Sequence, residues 1–190
     1  DKNKVVGVVR STKVSNPELY AIGNIDSNTE WGSVLEQVDV VVHCAAQAHK
    51  VNSNDNIKEV NTYGAVKLAS AAIAAGVKRF VFISSIGVNG SSTSIKPFDE
   101  HTKEQPHSEY AESKFLAELE LKRLCKNTTM ELVIVRPPLV YAGHAPGSFK
   151  SLLNIIHKEI PLPFSLVKNQ RSMISLTNLV DFIALCVEHP

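Results

Sequence analysis

Tyr110 and Lys114 stand at i and i+4 in Ser108-Glu109-Tyr110-Ala111-Glu112-Ser113-Lys114-Phe115. On a helix that spacing stacks a phenol and an ammonium on one face, one turn apart. A nearby cation favours phenolate, so the tyrosine's pKa, ordinarily about 10, is expected to move toward working pH. Such a tyrosine can exchange a proton with an alcohol or a ketone. The spacing alone decides little, because Tyr63 and Lys67 repeat it.

The bulk composition narrows the classes. With 190 residues, 44% hydrophobic content and a formal charge of +1, the chain reads as one globular domain or a large part of one. Its Lys and Arg are scattered, which gives no footprint for nucleic acid or a membrane surface. Cys44, Cys125 and Cys186 are far apart with no Cys-x-x-Cys, so neither a disulfide framework nor a zinc site is expected. Nor do the histidines, His43 and His49 among them, show metal-ligand spacing. A reducing cytoplasm fits this cysteine usage, and no apolar run reaches the ~18 residues of a membrane span.

The elements that would position the tyrosine alternate between strands and helices. Val5 to Val9, the weaker Leu19 to Ile22, Asp39 to Ala46, Arg79 to Ile83 and Glu131 to Val135 read as strands, several too apolar to be half exposed. Trp31, Val34, Leu35 and Val38 have helical spacing; Ile57 to Ala75, stopped by Gly76, and Ser108 to Cys125 read as long helices. The latter is expected to bury Phe115, Leu116 and Leu119 and to expose a Glu118/Lys122 pair. Pro137-Pro138 ends the strand before it, Phe149 to Lys158 is helical, Ser172 to Leu176 is a strand, and Thr177 caps the last helix. Continuous apolar strands alternating with helices predict an α/β fold, a parallel sheet covered on both faces.

In such a sheet, ligands bind beyond the carboxyl ends of the strands. Tyr110 follows the strand that ends in Ser84-Ser85, whereas Tyr63 follows one that ends in Ala45-Ala46 and offers no hydroxyl. Tyr110/Lys114 is therefore the candidate pair, and Tyr63/Lys67 reads as helix surface or packing.

Val42-His43-Cys44-Ala45-Ala46, Asn61 with Gly64, Arg79 through Ser85 to Val88-Asn89-Gly90, Tyr110-x-x-x-Lys114 and Arg136-Pro137-Pro138-Leu139-Val140-Tyr141 come in that order. Together they resemble the successive motifs of extended short-chain dehydrogenases/reductases, and within them the nucleotide-sugar epimerase/dehydratase family. The likeness is greatest to bacterial UDP-sugar 4-epimerases and 4-ketoreductases of polysaccharide biosynthesis. It implies a Rossmann-type doubly wound sheet, a nicotinamide dinucleotide, a UDP-linked sugar substrate and a homodimer. By that resemblance Tyr110 is the general acid/base, Lys114 holds the nicotinamide ribose, and Ser85 bonds the reacting sugar oxygen. Gly23 to Asp26, with Asn24 and Ile25, matches the segment bordering the adenine. Ala45 and Ala46 are small either for the dinucleotide or for tight packing. Asn61 lies near the cofactor or does local polar chemistry. Pro137 and Leu139 border the nicotinamide, and Arg171 either grips the substrate diphosphate or lies on the surface.

The family's dehydratases carry an Asp-Glu pair after the hydroxyl residue. Ile86 and Gly87 stand there, so the resemblance implies that water is not eliminated. The glycine-rich phosphate turn that opens a dinucleotide fold is not in this sequence, and the strand at Val5 matches the family's second. The expectation is thus a piece of a longer protein: 1–148 as a partial dinucleotide-binding domain without its first strand and glycine loop, and 149–190 as the start of a substrate region. Arg10 ends the second-strand match, where an arginine, here with Lys13 nearby, suits the 2′-phosphate of NADP and an acid suits NAD. The cofactor reads as NAD or NADP with a tilt to NADP. Two other readings stay open: a catalytically silent dinucleotide-binding regulator, and a dehydrogenase of a non-sugar alcohol or ketone.

Overall fold

A computed structural model describes residues 3–11, 14, 16, 18–48, 56–93, 96–143, 148–159, 168 and 170–189. Lys13 and His49 lie outside them. The chain forms two compact units, Asp1–Arg136 and Pro137–Pro190.

In the first unit, strands β1 (Gly7–Val9) and β2 (Leu19–Ala21) pair in parallel, as do β3 (Val40–His43), β4 (Arg79–Ile83) and β5 (Glu131–Val135) in the order β3-β4-β5. Phe80, Val81 and Phe82 of β4 are fully buried on both faces, which is why that strand carries no alternation. No ladder joins β1 to β3 among the described residues. That break falls where the doubly wound order places its first strand.

Helix α1 (Ala65–Ala74) lays Ala65, Leu68, Ala69 and Ala72 on the core with Trp31, Leu35, Phe80 and Phe82. It ends at Gly76, whose φ of +78° permits a Schellman closure: Val77 N–H donates to Ala72 O and Gly76 N–H to Ile73 O. The helix expected from Trp31 is instead one 3₁₀ turn, Gly32–Val34. Gly32 and Ser33 propagate a helix poorly, Gln37 adopts a φ of +60°, and burial of Trp31 and Leu35 needs only that one turn.

Helix α2 (Glu109–Cys125) opens on Ser108, whose Oγ accepts from Ala111 N–H at 3.1 Å, with Glu109 and Glu112 in the first turn. Ala117 and Leu121 are fully buried, whereas Leu119 is 45% exposed and Glu118 is buried, the reverse of the pattern expected for those two. Ser108→Ala should cost about 1 kcal/mol. Urea unfolding would show it, and a midpoint unchanged from the parent would contradict the cap.

In the second unit, β6 (Leu139–Tyr141) pairs in parallel with β7 (Met173–Ser175), and α4 (Leu176–Glu188) packs on both. Helix α3 (Ser148–His157) precedes β7. Ser175, not Thr177, caps α4: it sits one residue before the helix with extended backbone, and its Oγ accepts from Asn178 N–H at 3.1 Å.

Candidate active site

The carboxyl end of β4 carries Ile83, Ser84 and Ser85, and α2 brings Lys114 to it. Lys114 is 1% exposed; its ammonium donates to Ile83 O at 2.8 Å and lies 4.6 Å over the centre of the Phe82 ring. Burial lowers its pKa to about 8, against the opposing pull of Cys44 and Glu118. Half-buried Ser85 caps the short turn Ile86–Val88 by accepting from Gly87 N–H at 3.1 Å. Tyr110 sits one turn before Lys114, half-buried. Here the electrostatics depart from the expectation, because burial pushes the Tyr110 phenol up and no cation offsets it. The ammonium expected to hold that phenol down is hydrogen-bonded to the strand.

Asn61 and Thr62 belong to a π-helical turn, Glu59–Gly64, that runs into α1; such turns recur at functional sites. Fully buried Asn61 donates to Gln47 O at 3.0 Å and to Ser113 Oγ at 2.9 Å, and accepts from Gln47 N–H at 2.7 Å. Ser113 Oγ donates to Tyr110 O, and Thr62 Oγ1 donates to Ser113 O. Both donors of the Asn61 amide are thus spent on bracing the segment after β3 against the first turns of α2.

That braced segment includes Ala45, half-buried, and Ala46, exposed. Gly64 faces the other flank: a Cβ there would stand 2.8 Å from Ile25 Cγ2, so glycine lets the segment Gly23 to Asp26 approach the helix. Asn24 of that segment accepts from Arg10 Nε at 2.7 Å. Tyr63 is 52% exposed, in keeping with helix surface. Pro137 and Leu139 open the second unit, Leu139 on β6, and exposed Arg171 precedes β7.

Two further buried groups lie close to Lys114. His43, 3% exposed, stacks on Phe82 with centroids 5.8 Å apart, and its Nε2 has no partner among the described residues. Burial first, and then the Lys114 charge, lower its pKa to about 3. Glu118, fully buried, accepts from Ser84 Oγ at 2.5 Å and from Arg136 Nε and Nη2 at 2.9 and 2.5 Å. Arg136 also donates to Asn89 Oδ1 and Glu104 Oε1. The Glu118 signal was present in the spacing, since it follows Lys114 by four residues and shares its face. No group of residues suited to a metal ion occurs among the described residues, and no described helix is long and apolar enough to cross a membrane.

The family model described as NAD dependent epimerase/dehydratase family matches residues 1–190. A UDP-glucose 4-epimerase of Vibrio cholerae is 44% identical over 179 residues, which cover 90% of this chain and 55% of that protein. A double mutant of DesIV, the dTDP-glucose 4,6-dehydratase of Streptomyces venezuelae solved with NAD and DAU bound, superposes with a TM-score of 0.75 at 25% identity. That match covers 91% of this chain and 56% of the other. The UDP-glucose 4-epimerase of Thermotoga maritima solved with UDP-glucose gives a TM-score of 0.75 at 19% identity, over 97% of this chain and 65% of that one, a likeness of fold. The chain therefore spans little more than half the length of the Vibrio cholerae relative.

Proposed function

The chain belongs to the NAD dependent epimerase/dehydratase family, and from that premise we propose that it is the hydride-transfer part of a UDP-sugar 4-epimerase with Tyr110 as general acid/base. The observation that carries this reading is the buried Lys114 ammonium on Ile83 O, beside Ser85 and one turn from Tyr110. A silent regulator of the same fold would keep the lysine for the ribose, so it is Ser85 and Tyr110 together with Lys114 that argue against it.

The residues present fit a dinucleotide. Only one N–H of the Lys114 ammonium meets a protein acceptor among the described residues, which leaves donors for ribose hydroxyls. Ala45 and Ala46 are the small side chains at the end of β3, Arg10 and Asn24 face the adenosine half with Ile25, and Pro137 and Leu139 border the nicotinamide. When bound, NAD supplies a hydride acceptor and donor at the sugar's C4. Ser85 bonds the C4 oxygen, Tyr110 takes its proton and returns it, and Arg171 pairs with the diphosphate. Asn61 acts through its brace rather than by touching the cofactor. Ile86 and Gly87, in place of the acidic pair of dehydratases, favour epimerisation over loss of water. The substrate region beginning at about 149, a homodimer and a cytoplasmic setting complete the reading.

Exposed Arg10 favours a second reading, a 4-ketoreductase using NADPH. A panel of UDP-hexoses and their 4-keto forms, with nucleotide extraction from the holoenzyme, separates the two. Epimerisation with bound NAD supports the first, consumption of NADPH the second, and turnover of neither sinks both. For an active enzyme, kcat should fall above about pH 8 as Lys114 loses its charge; a rate that stays flat to pH 10 would remove the ammonium from the mechanism.

A further inference from the structure

Glu118 is a carboxylate with no exposure, placed four residues beyond Lys114 and held by three hydrogen bonds. Its partners are not incidental. Ser84 lies between Ile83, whose carbonyl holds the Lys114 ammonium, and Ser85, the hydroxyl assigned to the sugar oxygen. Ser84 N–H also donates to Val135 O at 2.7 Å, so β5 fixes the backbone of that residue while Glu118 fixes its side chain. Arg136, the residue after β5, holds both carboxylate oxygens in a fork and reaches Asn89 Oδ1 at 3.2 Å and Glu104 Oε1 at 3.0 Å. Asn89 ends the short turn that Ser85 caps, and Glu104 lies in the long polar loop before α2. Buried Glu118 and half-buried Arg136 thus tie the β4 end, the Ser85 turn, the loop and the lysine-bearing helix together.

We propose that Glu118 and Arg136 are positioning residues for the reaction, setting the register of α2 on the end of β4 so that Lys114 keeps its seat on the Ile83 carbonyl while Ser85 faces the reacting oxygen. The proposal rests on the epimerase reading for its consequence in turnover, and on geometry for the placement of the lysine. An ion pair whose only task was stability could be replaced by packed apolar groups without loss. A positioning pair cannot, because its hydrogen bonds to Ser84 and Asn89 fix where the strand-end groups point. Glu118 also places its negative charge on the lysine's own face. The other groups facing that ammonium are His43 and Cys44 at the end of β3, and the Phe82 ring and Ile83 carbonyl of β4. Of these, Glu118 and Cys44 are the ones that favour the charged lysine.

The test uses NAD-loaded holoenzyme carrying Glu118→Gln or Ser84→Ala. Glu118→Gln keeps the shape and removes the charge; Ser84→Ala leaves the Glu118–Arg136 pair intact and covers the case in which the first variant does not fold. For Glu118→Gln we expect kcat to fall ~10–100-fold with KM within about twofold, because misplaced catalytic groups lose rate before they lose binding. The alkaline limb of the kcat profile should move to lower pH. For Ser84→Ala the expected loss is ~3–10-fold in kcat with the alkaline limb unmoved. NMR titration of ¹³Cε-labelled lysine, assigned with Lys114→Arg, reads the ammonium without turnover. A Lys114 midpoint that drops in Glu118→Gln supports the placement even if no UDP-hexose reacts, in which case only the epimerase reading falls. Parent-like kcat in both variants together with an unmoved Lys114 midpoint overturns the proposal.

Discussion

Replacing Tyr110 with Phe is expected to lower kcat on a UDP-hexose by about 10²- to 10⁴-fold while NAD binding is retained. In barrier terms that is about 3–5.5 kcal/mol, the typical worth of a positioned proton donor and acceptor. The geometry sets the character of the loss. Burial raises the pKa of Tyr110, so its resting form at neutral pH is the phenol, ready to give a proton to a ketone oxygen. Taking a proton from the alcohol is the harder direction, and there the Lys114 charge one turn away has to stabilise the phenolate as it forms. The forward oxidation should therefore suffer at least as much as the reduction, and Lys114→Met should reproduce the oxidation defect. NAD binding by titration serves as the control, because Tyr110 half-buried at the start of α2 leaves the braces of Asn61 and Ser113 in place. Retained turnover in Tyr110→Phe would remove the tyrosine from the chemistry and favour the silent regulator.

The alternation of apolar strands and helices was legible because a strand buried on both faces has no polar positions to spare, as Phe80 to Phe82 show. The strand-end hydroxyls and Tyr110 became candidates because parallel topology fixes which ends of the strands share a crevice. What failed was local. Trp31 to Val38 has helical spacing, yet Gly32 and the left-handed Gln37 allow only one turn. Spacing records which residues must reach the core, and a single turn satisfies that as well as a helix does.

Glu118 teaches more, because its placement was read against a rule already in use. The i, i+4 argument that put Lys114 on the face of Tyr110 puts Glu118 there as well. Pairing it with Lys122 in solvent followed the surface rule for opposite charges, and that rule applies only if the face is exposed. Once the Tyr110/Lys114 face is turned toward the strands, Glu118 has to be buried and must find a cation from another element. Arg136, directly after β5 and before two prolines, is that cation. The Lys114 ammonium follows the same physics. A buried ammonium needs acceptors, and the Ile83 carbonyl at the strand end supplies one at 2.8 Å.

His43 leads to the second large effect, a loss of stability in mild acid. Its folded pKa is lowered to about 3 from the ordinary 6.5, by burial and then by the Lys114 charge. Above pH 6.5 the imidazole is neutral in both the folded and the unfolded chain, and the shift costs nothing. Below that, the unfolded chain binds a proton that the folded chain refuses, so stability falls with pH until the folded pKa is reached. The slope is about 1.4 kcal/mol per pH unit, which makes the His43 contribution about 2 kcal/mol by pH 5. Carboxylates whose folded pKa is depressed, such as Glu104 beside Arg136, add their own loss only lower down, as pH falls through the carboxylate range. The window between pH 6.5 and 5 therefore isolates the histidine. In His43→Leu the buried Nε2, which has no partner among the described residues, is gone along with the titration. Urea unfolding of the two NAD-loaded proteins across that window should show the stability difference shifting toward acid in the variant's favour, the parent losing about 2 kcal/mol more than the variant. Parallel curves would mean that His43 takes up its proton inside the fold, with the Phe82 stack and the neighbouring Lys114 rearranged to admit a second charge.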